Sequence, residues 1–97
     1  MPFDKTGSYL TFDETGIAKY APRSAGVYGI YKGNAWAYIG ETNDIEARLY
    51  AHLRGESDQS ACILRQKPTH YAYETCDNRL AREQALIREL DPACNKA

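Results

Sequence analysis

No apolar run in this 97-residue chain approaches the roughly 20 residues needed to cross a bilayer, so a membrane span is not expected. Nor does Met1-Pro2-Phe3-Asp4-Lys5 set a basic segment before an apolar one, as a secretory leader would, and a cytoplasmic protein is the expectation. Cysteine is scarce. Cys62, Cys76 and Cys94 are odd in number, widely spaced and without a C-x-x-C pair, which argues against a disulfide framework or a structural zinc site and predicts three reduced, small apolar side chains. An excess of one charge is also missing: 12 Lys and Arg against 13 Asp and Glu give a net charge of −1, so any grip on nucleic acid has to be local. Phenylalanine (2) and tryptophan (1) are few, yet tyrosine numbers 8, a ring with a polar tip that suits half-buried positions or chemistry.

What is present describes one domain. The length leaves room for a single hydrophobic core, and no repeat, low-complexity tract or linker divides it. Tyr9-Leu10-Thr11-Phe12 reads as a weak first strand, followed by a loop running to Pro22. Gly26-Val27-Tyr28-Gly29-Ile30-Tyr31 and Ala35-Trp36-Ala37-Tyr38-Ile39 form a hairpin around Lys32-Gly33-Asn34, where Gly and Asn supply the positive φ that tight turns require. The period then changes. Ile45, Leu49 and Leu53 recur at helical spacing behind a cap at Asn43 or Asp44, predicting a helix from about Asp44 to Arg54 that Gly55 ends. A short helix is expected over Ala61-Cys62-Ile63-Leu64 until Pro68, and a third strand over residues 70–75. A last helix, capped by Asp77 or Asn78, should run to Leu90 with Leu80, Leu86, Ile87 and Leu90 on its buried side, closed by Asp91-Pro92. The fold class is α+β: a small antiparallel three-stranded sheet, with or without the extra N-terminal strand, flanked by helices.

The sharpest local signal is a tyrosine in each arm of the hairpin, followed by Arg48 and His52 on the next helix. Four residues apart, Arg48 and His52 project from one helical face. Together these groups suit a phosphate, with donors for its oxygens and a proton acceptor for an attacking water. Each has a plainer role available: a strand tyrosine ordinarily packs, Arg48 can pair with Asp44, and Glu83 on an amphipathic helix ordinarily faces water.

The ordered set resembles the GIY-YIG nuclease superfamily. Gly26-Val27-Tyr28 stands as the GIY element and Tyr38-Ile39-Gly40 as the YIG element; Arg48-Leu49, His52-Leu53, Glu83, Leu86-Ile87, Pro92 and Asn95 follow. Gly29-Ile30-Tyr31 matches the family name letter for letter, but Tyr28 has the usual spacing of about ten residues to Tyr38, and strand alternation sends Tyr31 to the opposite face. On this resemblance residues 23–97 are the nuclease domain and residues 1–22 an extension packing on it.

The resemblance implies hydrolysis of phosphodiester bonds in DNA with one divalent cation, Mg²⁺ or Mn²⁺, held by Glu83. Tyr28 would act on the water as general base or orient it, Tyr38 would hydrogen-bond the phosphate or the water, Arg48 would stabilise phosphate charge, and His52 would assist proton transfer. Gly40 and Asn95 would support the site. Several family members carry a lysine where this chain has Glu41, which removes a cation beside the tyrosines. Alternatives are a module that binds nucleic acid or a protein partner without cleaving, and an RNA-directed nuclease. A protein partner or homodimer is an alternative source of specificity. Trp36 could stack on a base but is expected to pack on the hairpin; Arg79, Arg82 and Arg88 could touch phosphates or solubilise their helix; His70 receives no role.

Overall fold

The computed structural model describes residues 3–95. Helix α1 (Glu14–Tyr20) precedes strands β1 (Gly26–Lys32) and β2 (Ala35–Thr42), which are followed by α2 (Ile45–Leu53), α3 (Ser60–Arg65), β3 (His70–Thr75), α4 (Arg79–Leu90) and a 3-10 turn, Ala93–Asn95. The three strands form one antiparallel sheet in the order β2-β1-β3. Gly33, with φ of 59°, takes the left-handed position in the hairpin turn.

Strand alternation gives each face of the sheet its own core. Tyr28, Ile30 and Tyr71 pack with Ile17, Ile45, Leu49 and Ile63 from α1, α2 and α3. Val27, Ile39 and Ala72 face the other way, against Phe3 and Leu86 of α4, with Tyr31 and Trp36 partly buried beside them. Tyr28 and Tyr31 therefore lie on opposite faces. Burying each of the large aliphatic and phenylalanine side chains among them contributes about 1.5–3 kcal/mol. Trp36 packs against Phe3 and Tyr31 at centroid distances of 5.3 and 4.7 Å, the structural role expected of it. His70 stacks on Tyr31 at 5.8 Å.

Four expectations need correction. Tyr9–Phe12 is not a strand: two isolated bridges, Lys5 to Tyr73 and Thr11 to His70, attach the N-terminal segment to the outer edge of β3, with Gly7 looping between them. The expected loop to Pro22 contains α1, whose N-cap Asp13 accepts from the Gly16 N–H at 2.7 Å. Leu80 is 68% exposed. It lies six residues before the buried Leu86, which is not a whole number of helical turns, so the inward stripe of α4 runs through Arg79, Glu83, Leu86, Ile87 and Leu90 instead. Finally, Cys62 and Cys94 form a disulfide, tying α3 to the 3-10 turn, and only Cys76 is a free thiol.

Among the described residues no helix is long and apolar enough to cross a membrane.

Candidate active site

The inward stripe of α4 turns polar toward the helix N-terminus, where it leaves the core and reaches the outer edge of β2. In an edge strand, alternate residues direct backbone N–H and C=O groups away from the sheet. Ile39 and Glu41 are two such residues. Asn95 takes both groups of Ile39, accepting from its N–H at 2.8 Å and donating to its C=O at 2.8 Å. The Glu83 carboxylate accepts the N–H of Glu41, while burial raises its pKa and the Glu41 charge adds to that rise. Asn95 and Glu83 thus close the strand edge at Tyr38-Ile39-Gly40 and bring the Glu83 carboxylate to the tyrosines.

Across the sheet, Tyr28 and Tyr38 sit with ring centroids 6.2 Å apart. Both contact the buried ring of His52, at centroid distances of 5.5 and 5.2 Å. The Tyr28 oxygen is 2.7 Å from His52 Nε2. Gly40 makes this fit possible, because a Cβ there would lie 2.5 Å from the Tyr28 oxygen and 2.7 Å from its Cζ. Helix α2 delivers His52 one turn after Arg48, with Asp44 as its N-cap: Asp44 Oδ1 accepts the Ala47 N–H at 3.1 Å. Arg48 is exposed and shares an open hollow of about 230 Å³ with Thr42, Asn43 and Asp44.

The electrostatics follow from burial. Desolvation raises the pKa of Tyr28 far above that of a free phenol; Tyr38, Glu83 and Glu41 raise it further, and Arg48 opposes them. Tyr38 is raised by burial and by Glu83, again with Arg48 opposing. His52 is pushed down to about 4, first by burial and then by Arg48.

A stability prediction follows. Unfolded, His52 protonates near 6.5, and folded near 4. Between these values the unfolded chain holds more protons, so stability falls as pH drops through that window, by roughly 3 kcal/mol in total. Urea midpoints measured across it should show the slope in wild type, with the His52 part missing from His52→Gln. Equal slopes in the two proteins would refute the assignment.

The structure brings Tyr28, Tyr38 and His52 into contact, sets Arg48 and Glu83 within electrostatic reach of both tyrosines, and places Gly40 against the Tyr28 ring and Asn95 on the backbone of Ile39. Of the arginines on α4, Arg82 donates to Glu74 at 2.8 and 3.2 Å, and Arg79 pairs with Glu41 at 3.6 Å. Arg79 therefore answers the Glu41 carboxylate beside the tyrosines. The sequence reading missed Ser57, whose Oγ lies 2.6 Å from His52 Nδ1. It lies in a polar stretch after the helix, and its only signal is the pair Ser57-x-x-Ser60, in which the second hydroxyl accepts the first residue's N–H at 3.0 Å.

The family model of the GIY-YIG catalytic domain matches residues 24–96. The chain belongs to the GIY-YIG family. No curated protein matches it in sequence. Its fold is shared by solved structures of the GIY-YIG N-terminal endonuclease domain of UvrC from Thermotoga maritima. A tyrosine-to-phenylalanine mutant bound to its catalytic divalent cation has 23% identity and a TM-score of 0.70, covering 88% of this chain and 99% of that one. The magnesium-bound form has 23% identity and a TM-score of 0.68, covering 87% and 99%. An asparagine-to-alanine mutant, also cation-bound, has 23% identity and a TM-score of 0.66, covering 82% and 93%. As in those GIY-YIG domains, three antiparallel strands form one sheet flanked by helices.

Proposed function

We propose that this GIY-YIG protein is a metal-dependent endonuclease that hydrolyses phosphodiester bonds in DNA. The observation that carries the reading is the buried Tyr28–His52 contact of 2.7 Å, with Tyr38 against the same imidazole. A phenol whose pKa burial has raised cannot supply a phenolate at neutral pH. It can relay a proton to a neighbouring base that is neutral there, and His52 is neutral above about pH 4. In the hydrolytic step the water oxygen bonds to phosphorus as its proton passes to Tyr28, while the Tyr28 proton moves to His52. The ester P–O bond breaks, and the departing oxygen takes a proton from solvent. Arg48 reaches the phosphate oxygens, and Tyr38 donates to the phosphate or to the water.

The donor set suits one hard cation. Glu83 offers a single half-buried carboxylate, and the described residues contain no group of three or more His, Cys, Asp or Glu that would form an all-protein cage. Mg²⁺ and Mn²⁺ accept such an arrangement, keeping waters and taking substrate oxygens. Glu83 would hold the ion, which when bound supplies positive charge to the phosphate as negative charge develops.

Wild type incubated with plasmid or branched DNA and Mg²⁺ or Mn²⁺ should cut it. Glu83→Ala and Arg48→Ala should each lose about 10²- to 10³-fold in rate. Equal cutting by the variants, or none by wild type, would defeat the proposal. Cleavage of structured RNA in preference to DNA would reassign the substrate.

A further inference from the structure

His52 touches two hydroxyls, and the chain of bonds beyond it runs Tyr28 oxygen, His52 Nε2, His52 Nδ1, Ser57 Oγ and Ser60 Oγ, with steps of 2.7, 2.6 and 2.7 Å between residues. Its far end has only one polarity. The carbonyl of Ala51 can only accept, so Ser60 Oγ, 3.3 Å away, donates its proton there. The two lone pairs of Ser60 Oγ then receive the Ser57 N–H and the Ser57 hydroxyl. With its proton committed to Ser60, Ser57 Oγ faces His52 as an acceptor. His52 Nδ1 therefore carries the proton, and Nε2 presents a lone pair to Tyr28. The reverse polarity would strip Ser60 of its bond to Ala51 and turn an N–H toward the Tyr28 oxygen, leaving the Tyr28 hydroxyl proton without an acceptor among the described residues.

We infer that Ser57 and Ser60 are positioning residues that fix the tautomer of His52, so that its Nε2 accepts the proton leaving Tyr28. The inference rests on the nuclease reading only for its catalytic consequence; the tautomer itself is a property of the folded chain. Ser60 is buried and makes no hydrogen bond to His52, so its influence on the imidazole proton passes through Ser57. The other groups facing this imidazole are Tyr28 and Tyr38 from the sheet and Arg48 from its own helix, and Glu41 and Glu83 lie within electrostatic reach of the two tyrosines.

The test is two-bond ¹H–¹⁵N correlation spectroscopy on the full ¹⁵N-labelled chain at neutral pH, without metal or DNA. The two histidines, His52 and His70, are assigned by the spectrum of His52→Gln. Wild type should show His52 protonated at Nδ1. Ser60→Ala frees the Ser57 hydroxyl to donate to Nδ1, so the Nε2-protonated form should appear although no atom hydrogen-bonded to His52 has changed. Ser57→Ala should lose the bias as well, and Ser57→Thr, which keeps the hydroxyl, should restore it. Circular dichroism confirms that each variant is folded. In cleavage assays Ser60→Ala should lower kcat about tenfold with KM unchanged. An Nε2-protonated His52 in wild type, or an unchanged tautomer in folded Ser60→Ala, would overturn the inference. Should wild type cut no DNA, the nuclease reading fails, while the tautomer result still decides the role of Ser57 and Ser60.

Discussion

Tyr28→Phe is expected to lower kcat for DNA cleavage by roughly 10²- to 10⁴-fold, the range that positioned proton transfer contributes. The ring still fills its place in the core with Ile30 and Leu49, so the fold should survive. What disappears is one oxygen and its 2.7 Å contact with His52. The buried Nε2 then lacks a partner, which costs about 1–3 kcal/mol of stability. Tyr31→Phe is the informative companion, because Tyr31 completes the tripeptide Gly29-Ile30-Tyr31 yet faces α4 and Trp36 on the other side of the sheet. Its kcat should match wild type. Steady-state cleavage of the two variants beside wild type reads both outcomes; comparable losses in both would place the chemistry on the wrong face.

The second large effect concerns stability. Reduction of the Cys62–Cys94 disulfide, or Cys62→Ser, should destabilise the protein by about 3–4 kcal/mol, the chain-entropy value for a cross-link that spans 32 residues. For a domain of this size that corresponds to roughly 15–25 °C in Tm. The bond anchors the turn carrying Asn95, so reduction should also loosen the hold on Ile39 and with it the placement of Tyr38. Thermal melts with and without a phosphine reductant give the answer. Superimposable melts would show that the cross-link carries no stability.

Much of this was legible in the sequence because short-range physics decides it. The hairpin declares itself through β-prone runs around a turn, and α2 through the spacing of Ile45, Leu49 and Leu53. The order of Tyr28, Tyr38, Arg48, His52 and Glu83 marked the family, and alternation along β1 chose Tyr28 over Tyr31. Other features depend on contacts that no local pattern encodes. Gly16 lowers the helical propensity of α1, yet its missing side chain lets the helix rest against Thr11, and its carbonyl accepts the buried Tyr71 hydroxyl at 2.9 Å. Leu80 drew attention because it is apolar; the phase of α4 is set by Leu86 and by a polar end that has to meet β2. The approach of Cys62 to Cys94, and that of Ser57 to the His52 ring, are products of tertiary placement.

The bond between Ile39 and Asn95 joins residues 56 positions apart. During synthesis a chain emerges N-terminal side first, and a domain folds as a unit. The hairpin, α2 and the histidine therefore emerge while the edge of β2 is still open and Glu83 has not been made. Until α4 and the 3-10 turn emerge, the chain lacks both the Glu83 carboxylate and the Asn95 clamp on the strand bearing Tyr38. The order of elements thus delays completion of the candidate site until nearly all of the domain has been made.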